Sequence, residues 1–106
     1  TLLEQSDDMF MRYRWYTKTV KEMSSTPSEI FFRNFWATFM IDTVGMDLLH
    51  RMRVEQLMWS TDYPHGNSPW PHSQEVLQRN LGHLPEDVMR KLVQDNVIKL
   101  YGLKIK

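Results

Sequence analysis

The sequence predicts an α/β protein in which helices alternate with short parallel strands. Two apolar segments of strand length, at 34–40 and 56–60, are separated by a segment with helical periodicity, and two further helical patterns follow them. Because strands that are separated by a helix pair in parallel through a crossover, this order indicates a βαβ unit. The composition agrees, since 42% of the 106 residues are hydrophobic and 25% are charged, as in a folded globular domain.

An amphipathic helix is predicted at the start of the chain, over about residues 2–23. Five apolar residues recur at alternating steps of four and three: Met9, Tyr13, Tyr16, Val20 and Met23. This spacing places their side chains on one face of the helix, and we expect that face to be buried. Phe10 lies off the stripe and widens it. Pro27, within a polar segment at 24–28, is expected to stop the helix.

The first strand is predicted at 34–40, within an aromatic segment. Residues 30–41 include five aromatic side chains: Phe31, Phe32, Phe35, Trp36 and Phe39. Such density favours a short turn followed by a strand that is buried on both faces, as strands of parallel sheets are. We therefore expect these aromatic residues to belong to the core.

A helix and the second strand follow. Asp42 is placed to cap the helix, which we expect to end near Arg53. Val44, Leu48 and Met52 repeat at every fourth residue, which predicts that they face the core. The second buried strand then leads directly into a loop that contains the most informative residues of the chain.

Two helices are predicted after a turn-rich segment at 66–73, which contains two prolines. Ser73 is placed to cap the first of them, and Gly82 to end it. Pro85 opens the last helix, and Gly102 ends it. We expect the following side chains of these helices to face the core: Val76, Leu77, Leu81, Val88, Leu92, Val93, Val97, Leu100 and Tyr101.

Charge and composition exclude several classes of function. Thirteen basic and thirteen acidic residues cancel, so neither nucleic acid nor an anionic membrane is an expected partner. The absence of cysteine excludes a disulfide framework, a thiol nucleophile and a cysteine-ligated zinc site. No segment has the ~20 apolar residues of a membrane span or the order of a signal peptide, so we expect a cytoplasmic protein.

Asp62 is the residue best placed for chemistry. It follows the second predicted strand, and in parallel α/β folds ligands bind beyond the carboxyl ends of the strands. A carboxylate at that edge can ligate a divalent metal, or act as a general base with a metal-bound water. The alternative is a structural cap that accepts hydrogen bonds from loop amides, and spacing alone does not decide between the two.

Three residues of the following loop are candidates for contact with a substrate: His65, Trp70 and His72. The two histidines can serve as ligands, proton shuttles or simple polar loop residues, and their separation is not that of a metal-binding pair on a helix. Trp70 lies between two prolines and serves either as a lid over a substrate or as an apolar anchor that packs the loop down.

The same segments resemble the C-terminal part of the amidohydrolase-2 family. The resemblance rests on MWSTDYPH at 58–65, SPWPHS at 68–73, and DN at 95–96 followed by LYGL at 100–103. It extends over about residues 27–103, because the segment before the first strand is similar to the family's approach to its seventh strand. The family comprises metal-dependent hydrolases and decarboxylases, including aminocarboxymuconate-semialdehyde decarboxylase.

The resemblance implies a (β/α)8 TIM-barrel-like fold of which this chain is the C-terminal fragment, with about two parallel strands. It also implies a divalent metal, usually zinc, which is held by a His-x-His pair, a further His and an Asp at the end of the eighth strand. Asp62 matches that Asp, which in the family lies at the metal and assists proton transfer. His65 and Trp70 match loop positions near the mouth of the barrel, and Asn96 matches a position that tethers the last helix.

Much of the family fold has no counterpart in this sequence. It contains no His-x-His, and no strand is predicted before residue 27, whereas a complete barrel needs about 250 residues. We therefore expect residues 1–106 to form a single partial domain, the C-terminal portion of an enzyme that acts on a small-molecule substrate. We expect it to bind no metal alone and to be inactive, because one carboxylate does not complete a catalytic zinc site. A first residue that is Thr rather than Met fits a processed or cut chain.

Two further hypotheses explain the same features differently. A truncated, non-catalytic module would cover its open sheet edges and apolar helix faces by self-association as a homo-oligomer, or by pairing with another protein. Alternatively, a separate chain supplies the N-terminal part of the barrel and completes the enzyme. The substrate, and the choice between hydrolysis and decarboxylation, are not determined by these residues.

Overall fold

The computed structural model describes residues 1–15 and 23–105 and divides the chain into two units, Thr1–Phe35 and Trp36–Lys106. The first unit holds two helices, and the second holds a two-stranded sheet with the helices that pack on it. None of the described helices combines the length and the apolar character that a membrane span requires.

Helix α1 spans Leu2–Tyr13 in the first unit, and the continuation predicted to residue 23 falls largely outside the described residues. Phe10 is buried, at 8% exposed, whereas Met9 is 60% exposed and Tyr13 is also exposed. The predicted stripe is therefore wrong for Met9 and Tyr13. Apolar side chains lie on more than one side of this helix, so the periodicity did not show which side packs. The stripe's next two members, Tyr16 and Val20, lie outside the described residues.

Helix α2 spans Pro27–Asn34, where the sequence predicted a turn and the start of a strand. A capping box fixes its first turn, in which Thr26 and Glu29 each accept a hydrogen bond from the other's main-chain amide. Pro27 occupies the first turn, where its missing N–H has no helical partner to lose. The prediction was wrong because this proline begins a helix and does not merely end one.

The second unit is built on two short parallel strands, β1 (Ala37–Phe39) and β2 (Leu57–Trp59). They pair with Phe39 opposite Trp59, and the Ser60 amide donates a last ladder bond of 2.8 Å to the Phe39 carbonyl. The predicted order of strand, helix and strand is confirmed, and so is the parallel pairing. Each strand is three residues long, which is shorter than predicted.

The aromatic residues around β1 are more exposed than predicted. Phe35 and Trp36 are exposed, and within the strand itself Ala37 and Thr38 are exposed too. Phe39 packs against the core. The expectation of a strand buried on both faces is therefore wrong for β1, although its residues are those of a buried parallel strand.

Helix α3 spans Thr43–Asp47, and Asp42 is its cap, as predicted. The helix does not continue to residue 53, because the chain turns into a 3₁₀ segment at Leu49–Arg51 and a second one at Val54–Gln56. These tight turns carry the chain from α3 to the start of β2.

The side of α3 that packs inward is not the predicted one. Met46 and Leu49 are buried, whereas Val44 is 68% exposed and Leu48 and Met52 are exposed as well. Both sets of residues have helical spacing, so the pattern contained two possible apolar faces. Packing against the sheet and the C-terminal helices selects between them, and that selection is a tertiary effect.

The C-terminal helices close the core. Helix α4 spans Ser73–Leu81, and the last helix consists of α5 (Glu86–Arg90), a π-helical segment (Lys91–Asp95) and α6 (Asn96–Tyr101). Side chains of α3, the first 3₁₀ segment, α4 and the π-helical segment form the buried cluster, against which residues of both strands pack. Its members are Met46, Leu49, Leu81 and Leu92.

The ends of these helices follow the prediction except at Ser73. Gly82 and Gly102 end their helices, and Gly102 does so with φ 61°, which glycine adopts without strain. Ser73 is the first helical residue and not the cap, since His72 takes the cap position without a side-chain hydrogen bond. Tyr101 is exposed, contrary to the prediction that it faces the core.

Candidate functional site

Two hydrogen bonds hold the carboxyl edge of the sheet in place. The ladder bond from Ser60 to Phe39 is the first, and the Trp59 indole N–H, which donates to the Met40 carbonyl at 2.9 Å, is the second. The indole bond ties the residue that follows β1 to the last residue of β2. The chain therefore leaves both strands from one fixed edge, where parallel α/β folds place their ligand-binding groups.

An aspartate lies three residues beyond each strand at this edge, and the two have different partners. The Asp42 carboxylate accepts a hydrogen bond of 2.7 Å from the Gly45 amide and acts as the cap of α3. Asp62 has φ 51°, in the left-handed region, and its side chain is 47% exposed. Left-handed backbone in a residue other than glycine is uncommon, and such conformations cluster at functional sites.

His65 contacts Asp62 directly. Its Nδ1 lies 3.1 Å from Oδ2 of Asp62, and its main-chain amide donates to the Asp62 carbonyl at 2.9 Å. The Tyr63–Pro64 peptide bond between them is cis. The segment 62–65 is therefore a turn that closes through its main chain and through its side chains, and in the described part of the chain the Asp62 carboxylate bonds an imidazole and not a loop amide.

Trp70 packs on Tyr63, the residue next to Asp62. The two ring centroids are 5.2 Å apart with a tilt of 57°, and both side chains remain exposed. The loop between them is ordered by turn bonds, in which the Ser68 amide donates to the His65 carbonyl and the Trp70 amide donates to the Ser68 hydroxyl. Trp70 thus contacts the turn that carries Asp62 and presents an open aromatic face beside it.

His72 has a different partner. Its Nδ1 lies 3.6 Å from Oε1 of Glu75, the two side chains are largely exposed, and no hydrogen bond or ion pair of the described residues joins it to Asp62. Across residues 1–15 and 23–105, no three His, Asp or Glu side chains come together as a metal site. Asp62 and His65 together offer two side chains that can ligate a metal, whereas a catalytic zinc takes three protein ligands. The described residues therefore do not complete a zinc site.

Two contributors to the site were not predicted from the sequence. Tyr63 is the ring on which Trp70 packs, and Trp59 is the residue that ties the two strand ends together. Both were predicted only as part of a strand or a turn. A signal for the first was available, because Tyr63 and Trp70 each precede a proline within one loop.

A separate depression is lined by residues of α5. It has a volume of about 430 Å³ and is lined by Glu86, Asp87 and Arg90. None of the strand-end side chains lines it, so it does not form part of the candidate site.

Comparison with known proteins gives one family match. The sequence model of the family described as Amidohydrolase matches residues 10–103, which include both strands, Asp62 and the loop that follows. No curated protein matches the chain.

Proposed function

The chain belongs to the amidohydrolase family, and from this premise we propose that it forms the C-terminal part of a metal-dependent hydrolase or decarboxylase. In this proposal β1 and β2 are the last two strands of a (β/α)8 barrel, and Asp62 reaches the active site from the end of the last strand. The position of the Asp62 carboxylate carries the proposal, because it lies half exposed at the edge where such barrels place their catalytic groups.

Asp62 has two roles in the proposed enzyme, as a metal ligand and as an acceptor of a proton from the reacting group. One of its oxygens, Oδ2, contacts His65, and Oδ1 has no hydrogen-bond partner among the described residues. A divalent metal, zinc in most of the family, would polarise a substrate oxygen or activate a water molecule. Its remaining ligands would come from a part of the barrel that this chain does not contain.

We propose that the chain alone is inactive, because it lacks the remaining metal ligands. Asp62 and His65 supply fewer ligands than a catalytic zinc needs, and the open edges of a two-stranded sheet do not enclose a substrate. Titration of the 106-residue chain with zinc is expected to show only weak binding. Binding of one equivalent, together with turnover that is lost in Asp62→Asn, would refute this part of the proposal.

A chimera tests the proposed activity. Residues 27–103 replace the last two strands and helices of an amidohydrolase-family enzyme whose reaction is known, and turnover of that enzyme's own substrate is measured. We expect activity that is lost in Asp62→Asn and kept in the matched control Asp47→Asn, which changes an exposed acid at the end of α3. Equal activity of the Asp62→Asn and unsubstituted chimeras would overturn the role of Asp62.

A second candidate function is a non-catalytic module that associates with a second copy of itself. The observations that favour it are the exposed apolar side chains of the second unit, which include Ile41, Val44 and Leu48, and the open edges of its two-stranded sheet. Sedimentation at micromolar concentration decides the point. A dimer that dissociates on Val44→Glu supports this candidate, and a folded monomer counts against it.

A further inference from the structure

We propose that His65 is a positioning residue, which holds the Asp62 carboxylate in one orientation so that Oδ2 is occupied and Oδ1 points toward the reacting groups. The significance of this orientation rests on the proposed function. The orientation itself rests on the geometry of the turn at 62–65.

The turn supplies two parallel connections between the same pair of residues. The His65 amide donates to the Asp62 carbonyl at 2.9 Å, which fixes the distance between the main-chain atoms of these two residues. The imidazole Nδ1 then lies 3.1 Å from Oδ2, within hydrogen-bond distance. The main chain already holds the two residues together. The side-chain bond therefore has to order only the side-chain torsions of Asp62 and His65, which keeps its entropic cost small.

The direction of this bond follows from the chemistry of the two groups. An ionised carboxylate has only hydrogen-bond acceptors. Nδ1 of His65 is therefore the protonated ring nitrogen, and its N–H donates a hydrogen bond to Oδ2 of Asp62. Nε2 then faces away from Asp62. Both side chains are substantially exposed, His65 at 74%, and exposed pairs contribute little to stability. The bond therefore selects a rotamer of Asp62 and contributes little to the stability of the fold.

The left-handed backbone of Asp62 makes such a restraint useful. At φ 51° the Cβ of Asp62 leaves the chain in a direction different from that of an ordinary turn residue. Without a partner, an exposed carboxylate at this position would sample several χ1 rotamers. With Oδ2 held by His65, Oδ1 is presented in one direction.

Scalar couplings that report χ1 of Asp62 in the 106-residue chain test this inference without metal or substrate. We expect one rotamer in the unsubstituted chain and averaging among rotamers in His65→Ala. His65→Asn places an amide N–H donor where Nδ1 lies and is expected to restore the single rotamer. His65→Gln moves the donor one bond further out and is expected to fail. A merely structural histidine would not produce this difference between Asn and Gln.

Imidazole nitrogen shifts give a second readout, with His83 as an internal reference. We expect the Nδ1–H tautomer to dominate at His65 and to be lost in Asp62→Ala, while the His83 signal stays unchanged. A single Asp62 rotamer in His65→Ala, or the same His65 tautomer with and without Asp62, would overturn the inference. Neither readout requires activity, so an inactive chimera with an intact pair would count against the proposed function and not against the positioning role.

Discussion

The side-chain amide of Asn96 donates a hydrogen bond of 2.8 Å to the main-chain carbonyl of Leu57, the first residue of β2. The same nitrogen donates to the Val54 carbonyl at 2.6 Å, and Asn96 is 4% exposed. The last helix thus satisfies two main-chain acceptors at the entry to β2, which is the tethering role that the family resemblance implied. The π-helical segment ends directly before Asn96. Its wider turn changes the direction in which the following residues project from the helix axis.

Replacement of Asn96 is expected to be the most destabilising polar substitution in the second unit. Asn96→Ala leaves two carbonyls near β2 without their donor, which costs roughly 1 to 3 kcal/mol in the free energy of unfolding. Urea unfolding measures this loss. Asn80→Ala is the matched control, because the buried Asn80 amide nitrogen has no hydrogen-bond partner among the described residues. Equal losses for the two variants would contradict the tether.

Gly45 and Asp42 are expected to be strongly coupled. A Cβ on Gly45 would lie 2.5 Å from Oδ2 of Asp42, so Gly45→Ala displaces the carboxylate that caps α3. In the unsubstituted chain this change is expected to destabilise by about 1 kcal/mol or more, the value of a lost cap. In an Asp42→Ala background the clash is absent, and the gain in helix propensity makes the same change stabilising by roughly 0.5 to 1 kcal/mol.

A double-mutant cycle by chemical unfolding measures this coupling. The predicted result is a reversal of sign for Gly45→Ala between the two backgrounds. If the two substitutions are additive, the close approach of the Asp42 carboxylate to Gly45 is not the reason for glycine at this position.

Glu55 is expected to make stability slightly dependent on pH. Hydrogen bonds from its own main-chain amide and then from Lys91, 3.1 Å away, hold the pKa of the Glu55 carboxyl below its usual value. Because the folded state favours the ionised form, its contribution is present above the unfolded pKa of about 4.3 and is lost as pH falls through the lower folded-state value.

Glu55→Gln is therefore expected to lower the free energy of unfolding at pH 7 and to have no effect once Glu55 is protonated in both states. The ion pair is exposed, so the loss at pH 7 is at most about 0.5 kcal/mol. Urea unfolding at pH 7 and at pH 3 measures the difference, with Glu86→Gln as the control. A loss of the same size at both pH values would show that the charge is not responsible.

The sequence predicted the order and the parallel pairing of the strands better than it predicted the buried faces. Parallel pairing of β1 with β2 followed from the helix between them, and the position of Asp62 beyond β2 followed from the strand prediction. Val44 and Met9 were assigned to the core and are exposed, because each lies on a helix with apolar residues on more than one side. The side that packs is decided by neighbours that are distant in sequence.

The interaction between Asp62 and His65 was not predictable from spacing. The two residues were singled out separately, but residues three apart in a loop have no fixed relation, unlike residues three apart on a helix. The left-handed φ of Asp62 and the turn that follows bring the side chains together. Such geometry depends on backbone torsions that a polar loop sequence does not specify.

The zinc content of the chimera that carries residues 27–103 decides whether Asp62 supplies a metal ligand at the end of the last strand. Zinc is measured by elemental analysis after dialysis against a competing chelator, for the unsubstituted, Asp62→Asn and Asp47→Asn chimeras. We expect about one zinc per chain in the unsubstituted and Asp47→Asn proteins, and loss of most of it in Asp62→Asn. Full retention of zinc by Asp62→Asn would contradict this role of Asp62.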